Sequence, residues 1–245
     1  MKMLVLFLAP LLSGLLIFLV PQPRTGNFKL LLVFAGSYLF AITVIHILPG
    51  LYRQHADVEG IGLFVLLGFF LQQLIEHFTA GIEHGHIHAH DKGHGHSGAS
   101  ALVLLAALCV HAFMEGGILV RPHPHTLYSS TNAILLGIVL HRAPAAFALM
   151  AVLAGQKHPK GKSIAYLAMF SLAAPLGYFI GEYFVAADWL SGTGLVFLYA
   201  LVSGGFLYIS TTIVFESSPG HHFNAKRLLV ALAGSLMAVA VEYLF

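Results

Sequence analysis

Apolar residues gather in eight runs, at about 3–20, 28–52, 60–82, 99–120, 130–154, 162–186, 190–214 and 225–245, with Pro, Gly, His and basic residues between them. About 20 apolar residues, each advancing about 1.5 Å along a helix, cross a hydrocarbon core about 30 Å thick. The pattern predicts an all-α integral membrane protein, with eight transmembrane helices in a bundle and a single transmembrane domain over residues 1–245. Some links are very short, as from Ala187 to Ser191. The first run lacks a small-residue cleavage site and reads as a retained helix. One stretch breaks the rhythm, a His-rich segment over 83–98 between the third and fourth runs.

Polar residues inside the runs are few, and each needs a reason. His111 and Glu115 stand i, i+4 in the fourth run and share a helix face. A carboxylate at that depth costs about 2.5–3.5 kcal/mol on insertion scales, so Glu115 needs a partner inside the protein. One imidazole and one carboxylate converging in a dry place make half of a metal site; the plainer reading is a buried hydrogen bond that packs helices. His141 lies eleven residues past Ser130, as His111 lies twelve past Ala99, so two antiparallel helices bring both imidazoles to similar depth near the midplane. Pro144 breaks the helical ladder at that level and frees the carbonyl of Leu140 to face a cavity or an ion. His111, Glu115 and His141 are therefore the candidate ligands of a buried ion site.

Arg142 complicates the site. A guanidinium stays protonated in proteins, so it must find an anion in mid-membrane, and Glu115 is the nearest by depth. A bidentate pair with Glu115 takes up charge that would otherwise hold a metal; the alternative is an arginine reaching toward a polar cavity. Late in the third run, Gln72 and Glu76 share one face and Gln73 and His77 another, which suits either an exit path or polar glue between helices. His46, three residues before Pro49, lines an entrance or caps a helix end. Pro175 with Gly177 and Gly181 favours a kink and close helix contact.

Composition narrows the class. With 245 residues, 58% hydrophobic and 9% charged, and a mean hydropathy of +0.85, the chain is not a soluble domain. A net charge of +2 carries no nucleic-acid footprint. The single cysteine, Cys109, excludes an internal disulfide and a thiolate cluster. Sixteen histidines against ten acidic residues is the unusual figure. His84, His86, His88, His90, His94 and His96 alternate with small residues that cannot bury a core, so the segment is expected to be a mobile loop. Its imidazoles can hold Zn²⁺ or a similar ion with shifting ligands; the alternative is a low-complexity insert. Basic residues set orientation. With the N-terminus outside, eight of them (Arg24, Lys29, Lys92, Lys157, Lys160, Lys162, Lys226 and Arg227) face inward, against Lys2, Arg53 and Arg121 outward. Both termini are therefore expected outside the cytoplasm, with the His-rich loop inside, in a multi-pass protein of the cell (inner) membrane.

In this order the motifs resemble the ZIP (Zrt/Irt-like) family of divalent-metal transporters over most of the chain. The likeness rests on eight spans, outward termini, the His-rich loop, and His46-Ile-Leu-Pro49. It rests also on Gly68-Phe-Phe-Leu-Gln-Gln-Leu-Ile-Glu76-His77, Ala174-Pro-Leu-Gly177, and Gly205-Phe-Leu-Tyr-Ile followed by Glu216. The family's span-four motif, His-Asn-x-x-Asp/Glu-Gly, is met by His111, Glu115 and Gly116, with Ala112 in place of the asparagine. Its span-five motif, often His-Glu-x-Pro-His-Glu, keeps His141 and Pro144, while Arg142, Ala145 and Ala146 replace the ligand-type residues. Some relatives also place a glutamate where this chain has Ala174. The resemblance implies transport of Zn²⁺ or a similar ion toward the cytoplasm. Where the resemblance implies two adjacent metal sites, the residues that survive here supply one thinned site from His111, His141 and Glu115, and Arg142, a cation at a ligand position, is expected to place fixed charge where the second ion would sit.

Three classes of function follow. A metal-uptake permease, passive or proton-coupled, binds its ion through neutral imidazoles and one carboxylate without trapping it. A degenerate relative senses or buffers metal through the loop and transports little. A di-metal membrane enzyme needs several His boxes at one membrane face, which this chain lacks, and the six-span efflux architecture needs a cytoplasmic domain. The permease is the expectation, with a divalent ion as substrate, no permanent cofactor, and the lipid bilayer and a candidate homodimer as partners.

Overall fold

The structure is a computed structural model that describes residues 1–19, 25–54, 58–79, 101–120, 131–156, 158–190, 192–216 and 224–244. The His-rich segment, with His84, His86, His88, His90, His94 and His96, lies outside them. The described residues are almost all helical, and their helices follow the eight apolar runs closely. α1 spans Lys2–Leu15 and tightens into a last turn at Leu16–Phe18. α2 (Thr25–Ile42) and α3 (Leu48–Gln54) form one span, joined by a turn of π-helix over Thr43–Ile47. The remaining spans are α4 (Val58–Thr79), α5 (Ala101–Gly117), α6 (Thr131–Gly155), α7 (Lys160–Ala186), α8 (Gly192–Glu216) and α9 (Ala225–Leu244). Six of the eight have the length and apolarity to cross a membrane; α1 and α5 are shorter apolar helices among the described residues. The protein is thus an all-α, multi-pass membrane bundle.

The π turn has a local cause. Pro49 carries no N–H, and its ring presses on the carbonyl of Ile45 one turn earlier. Widening that turn by a residue moves the carbonyl aside, so the helix passes the proline without ending. His46 sits inside this widened turn and is buried.

The spans pack as two groups of four. α1, α5, α6 and α7 hold one another, chiefly through α5 on α7 and α1 on α6. The span α2–α3 joins α4, α8 and α9, chiefly through α4 on α8 and α2 on α9. Helices in lipid gain little from apolar contact alone, so close backbone approach through small residues does the holding. Glycines are placed for this on both sides. A Cβ at Gly116 would collide with the carbonyl of Ala174, and one at Gly177 with that of Phe113, so α5 and α7 lock reciprocally. Gly68 against Leu201 and Gly204 against Val65 do the same for α4 and α8.

The groups meet along a seam where α2 faces α6 and α4 faces α5. Here side chains reach across to backbone: the Tyr38 hydroxyl donates to the carbonyl of Ala133 at 3.0 Å, and Tyr199 donates to that of Val120. α6 is the innermost helix, with Ala133, Ile138, Ala146, Ala148 and Leu149 all wholly buried. α4 and α9 turn Leu63, Leu67, Phe70, Leu229 and Leu236 outward, the dress of a lipid-facing surface. Where α7 gives way to α8, Asp188 takes a positive φ of 58° and Trp189 stacks on Phe184, an aromatic placed as interfacial anchors are.

Candidate metal centre

α5 carries His111 and Glu115 on the face that looks into the bundle, and both are buried. Their spacing of one turn sets His111 Nε2 at 3.2 Å from Glu115 Oε1. α6 brings His141 opposite, its ring perpendicular to that of His111 at 88° and with centroids 5.9 Å apart. Ligand atoms of His111, Glu115 and His141 all lie within 4.8 Å of one another. That separation suits donors that close on one ion when it arrives.

The surroundings hold these side chains in place. Pro144 stands inside α6 three residues past His141, and the Ser13 hydroxyl of α1 donates to the carbonyl of Ala143 at 2.6 Å. Arg142 is 1% exposed. Its Nη1 lies 3.5 Å from Glu115 Oε2 and its Nη2 donates to the carbonyl of Phe170 at 2.8 Å, with the guanidinium over the Phe170 ring at 4.7 Å. A charge at this depth is tolerable only with such partners. The two oxygens of Glu115 are therefore divided, Oε1 toward His111 and Oε2 toward Arg142. With Nη2 on a backbone carbonyl, the ion pair with Glu115 runs through Nη1 at 3.5 Å, where the sequence also allowed a two-pronged fork.

Gln72 enters from α4, across the seam. It is 2% exposed and its Oε1 accepts from His111 Nδ1 at 2.9 Å. The sequence offered it as path or glue; its contact with His111 depends on which helices are neighbours, which no spacing within α4 reveals. Its companions in that patch fall elsewhere. Glu76 is half-buried, and His77 lies on the exposed face against the ring of Phe78.

His46 is not at a helix end, since the chain stays helical on both sides of it. Its Nδ1 meets Glu242 Oε1 on α9. Glu242 passed unnoticed in the sequence, though it is the one acidic residue in the last apolar run and so needed a partner.

Residues 83–242 match the family model described as ZIP Zinc transporter. Zinc transporter ZIP9-B of Xenopus laevis is 29% identical over 189 residues, which is 74% of this chain and 61% of that protein. Zinc transporter ZIP9 of Micropogonias undulatus is 30% identical over 182 residues, 71% of this chain and 57% of that protein. The chain thus spans about three-fifths of the length of the curated relatives it matches. The match takes in five of the eight spans and both histidines of the buried cluster, and the chain belongs to the ZIP zinc transporter family.

Proposed function

We propose that the protein moves a divalent metal ion, zinc before others, across the membrane toward the cytoplasm, with His111, Glu115 and His141 as the ligands the ion meets in transit. The observation that carries this is the convergence of three buried donors from two helices within 4.8 Å. Two imidazole nitrogens and one carboxylate oxygen suit zinc and its borderline neighbours better than Mg²⁺ or Ca²⁺, which take oxygen. Three protein donors leave a position open to water, as sites that exchange their ligands do. Relatives named as zinc transporters favour the same ion. The ion is cargo, and no bond-making chemistry is assigned.

Arg142 fits the role of a fixed charge in place of a second ion. It draws on Glu115 Oε2 and leaves one anionic oxygen for the ion, which keeps the grip loose. His46 and Glu76 are stations on the path in this reading, and His77, on the exposed face, has least claim to be one. The basic-residue asymmetry puts both termini outside and the His-rich loop over 83–98 inside, where its imidazoles accept metal that has passed.

The test is zinc uptake by reconstituted vesicles. His111→Ala and His141→Ala are each expected to lose most of it; uptake unchanged in both removes the central site. The ion pair on Glu115 also favours a second reading, a relative that senses or buffers metal and transports little. Deleting 84–96 in the same vesicles separates the two, because a permease keeps most uptake and a sensor loses its metal response.

A further inference from the structure

Gln72 stands on a helix that otherwise shows lipid a row of apolar side chains, with Leu66, Leu67, Phe70 and Leu74 all exposed. Burying a primary amide costs free energy unless its polar atoms are bonded, so packing alone does not explain a glutamine here. Its side chain lies between the backbone of α8 and the ring of His111. A methyl at Gly205 would stand 3.7 Å from Gln72 Cβ and 3.8 Å from Oε1, in van der Waals contact with both. On the other side, Oε1 reaches His111 Nδ1 at 2.9 Å.

An amide oxygen only accepts, so Nδ1 of His111 donates in this contact; the Glu115 carboxylate beside Nε2 likewise accepts, so Nε2 is the nitrogen that exchanges its proton for an ion. Nε2 faces Glu115 Oε1, 3.2 Å away, and the His141 ring stands with its centroid 5.9 Å from that of His111. Histidines that ligate metals through one nitrogen are oriented by the hydrogen bond at the other, and losing that partner typically weakens metal binding. The bond also crosses the seam. His111 belongs to the group α1, α5, α6 and α7, and Gln72 to the group that holds α4 against α8.

We propose that Gln72 is a positioning residue of the ion site: it fixes the ring and tautomer of His111 so that Nε2 faces the ion, and it makes that readiness depend on α4 being docked against α5. This rests on reading His111, Glu115 and His141 as the ion's ligands. The residue touches no ion itself; it acts through His111.

The experiment uses the full chain in lipid nanodiscs with Zn²⁺ alone as probe, in two readouts. Zinc affinity is measured by calorimetry for the intact protein, Gln72→Leu, Gln72→Glu and His111→Ala. Gln72→Leu keeps the volume and removes the acceptor, and is expected to weaken zinc about 10–100-fold. Gln72→Glu keeps an acceptor oxygen and is expected to bind within a few-fold of the intact protein or better. The second readout is the pair of ring-nitrogen resonances of His111 in ¹⁵N-histidine-labelled, zinc-free protein, identified by their loss in His111→Ala. They are expected to show a protonated Nδ1 in the intact protein and a largely unprotonated Nδ1 in Gln72→Leu, where only the Glu115 carboxylate at Nε2 still accepts. Intact-level zinc affinity in Gln72→Leu, an equally weak Gln72→Glu, or unchanged resonances in Gln72→Leu each overturn the proposal while His111→Ala still loses zinc. A zinc isotherm of His111→Ala no weaker than that of the intact protein, the contribution of the 83–98 loop being common to both, overturns the underlying site, and this proposal with it.

Discussion

Arg142 and Glu115 show how one substitution resets a site. Both side chains are 1% exposed, and neither tolerates the loss of the other: removing one partner of a buried pair typically costs about 3–5 kcal/mol, because it strands the remaining charge. Arg142→Met is therefore expected to lower the melting temperature of the zinc-free protein sharply. A divalent ion then takes over the work of the guanidinium. Zinc is expected to raise the melting temperature of Arg142→Met more than that of the intact chain, and Arg142→Ala to bind additional zinc per chain by equilibrium dialysis. An Arg142→Ala protein that binds no more zinc and transports as before removes Arg142 from the role of substitute ion. At this scale the sequence was legible where chemistry and spacing coincide. His111 and Glu115 declare themselves by one helical turn, and Arg142 by needing an anion. The partner of Gln72, and Glu242 altogether, were not legible, because the contacts join residues 39 and 196 positions apart in the chain.

The elements were more legible than the contacts between them. A span announces itself in one dimension, as a run of apolar residues of sufficient length, and α6, α7 and α8 fall close to the runs that predict them. Pro49 was visible, yet the helix goes on past it, since a wider turn removes the clash that would have ended it. Gly177 was read as a close-contact residue, but that its counterpart is Phe113, with Gly116 returning the contact on Ala174, depends on how α5 lies along α7. This crossing presents Glu115 to α6. Gly116→Ala and Gly177→Ala force a Cβ onto a backbone carbonyl and are expected to cost about 1–3 kcal/mol each by thermal melting, with weaker zinc binding as α5 shifts. Gly161→Ala, where the new methyl meets open space, is the control and is expected to stay within about 0.5 kcal/mol of the intact protein.

In the whole molecule, side-chain hydrogen bonds occur both within and between the groups, whereas the glycine-to-carbonyl locks among the described residues lie within them. Inside each group of four, glycine rests on carbonyl, as in α5 on α7 and α4 on α8. Between the groups, Tyr38 reaches Ala133, Tyr199 reaches Val120 and Gln72 reaches His111. Tyr38→Phe deletes one such bond and leaves the carbonyl of Ala133 with one donor fewer. The expected loss is about 0.5–1.5 kcal/mol in a melting experiment, with zinc affinity unchanged. The two kinds of adhesion differ in stiffness as well as in strength. Interlocked backbones resist sliding at every step, because each small displacement drives one chain's atoms into the other's. A hydroxyl or an amide lets go by swinging about a single bond, and finds another acceptor without disturbing its own helix. Mechanical compliance is therefore expected to concentrate along the line where α2 and α4 lie against α6 and α5, with amides flanking that line exchanging hydrogen sooner than those between α5 and α7.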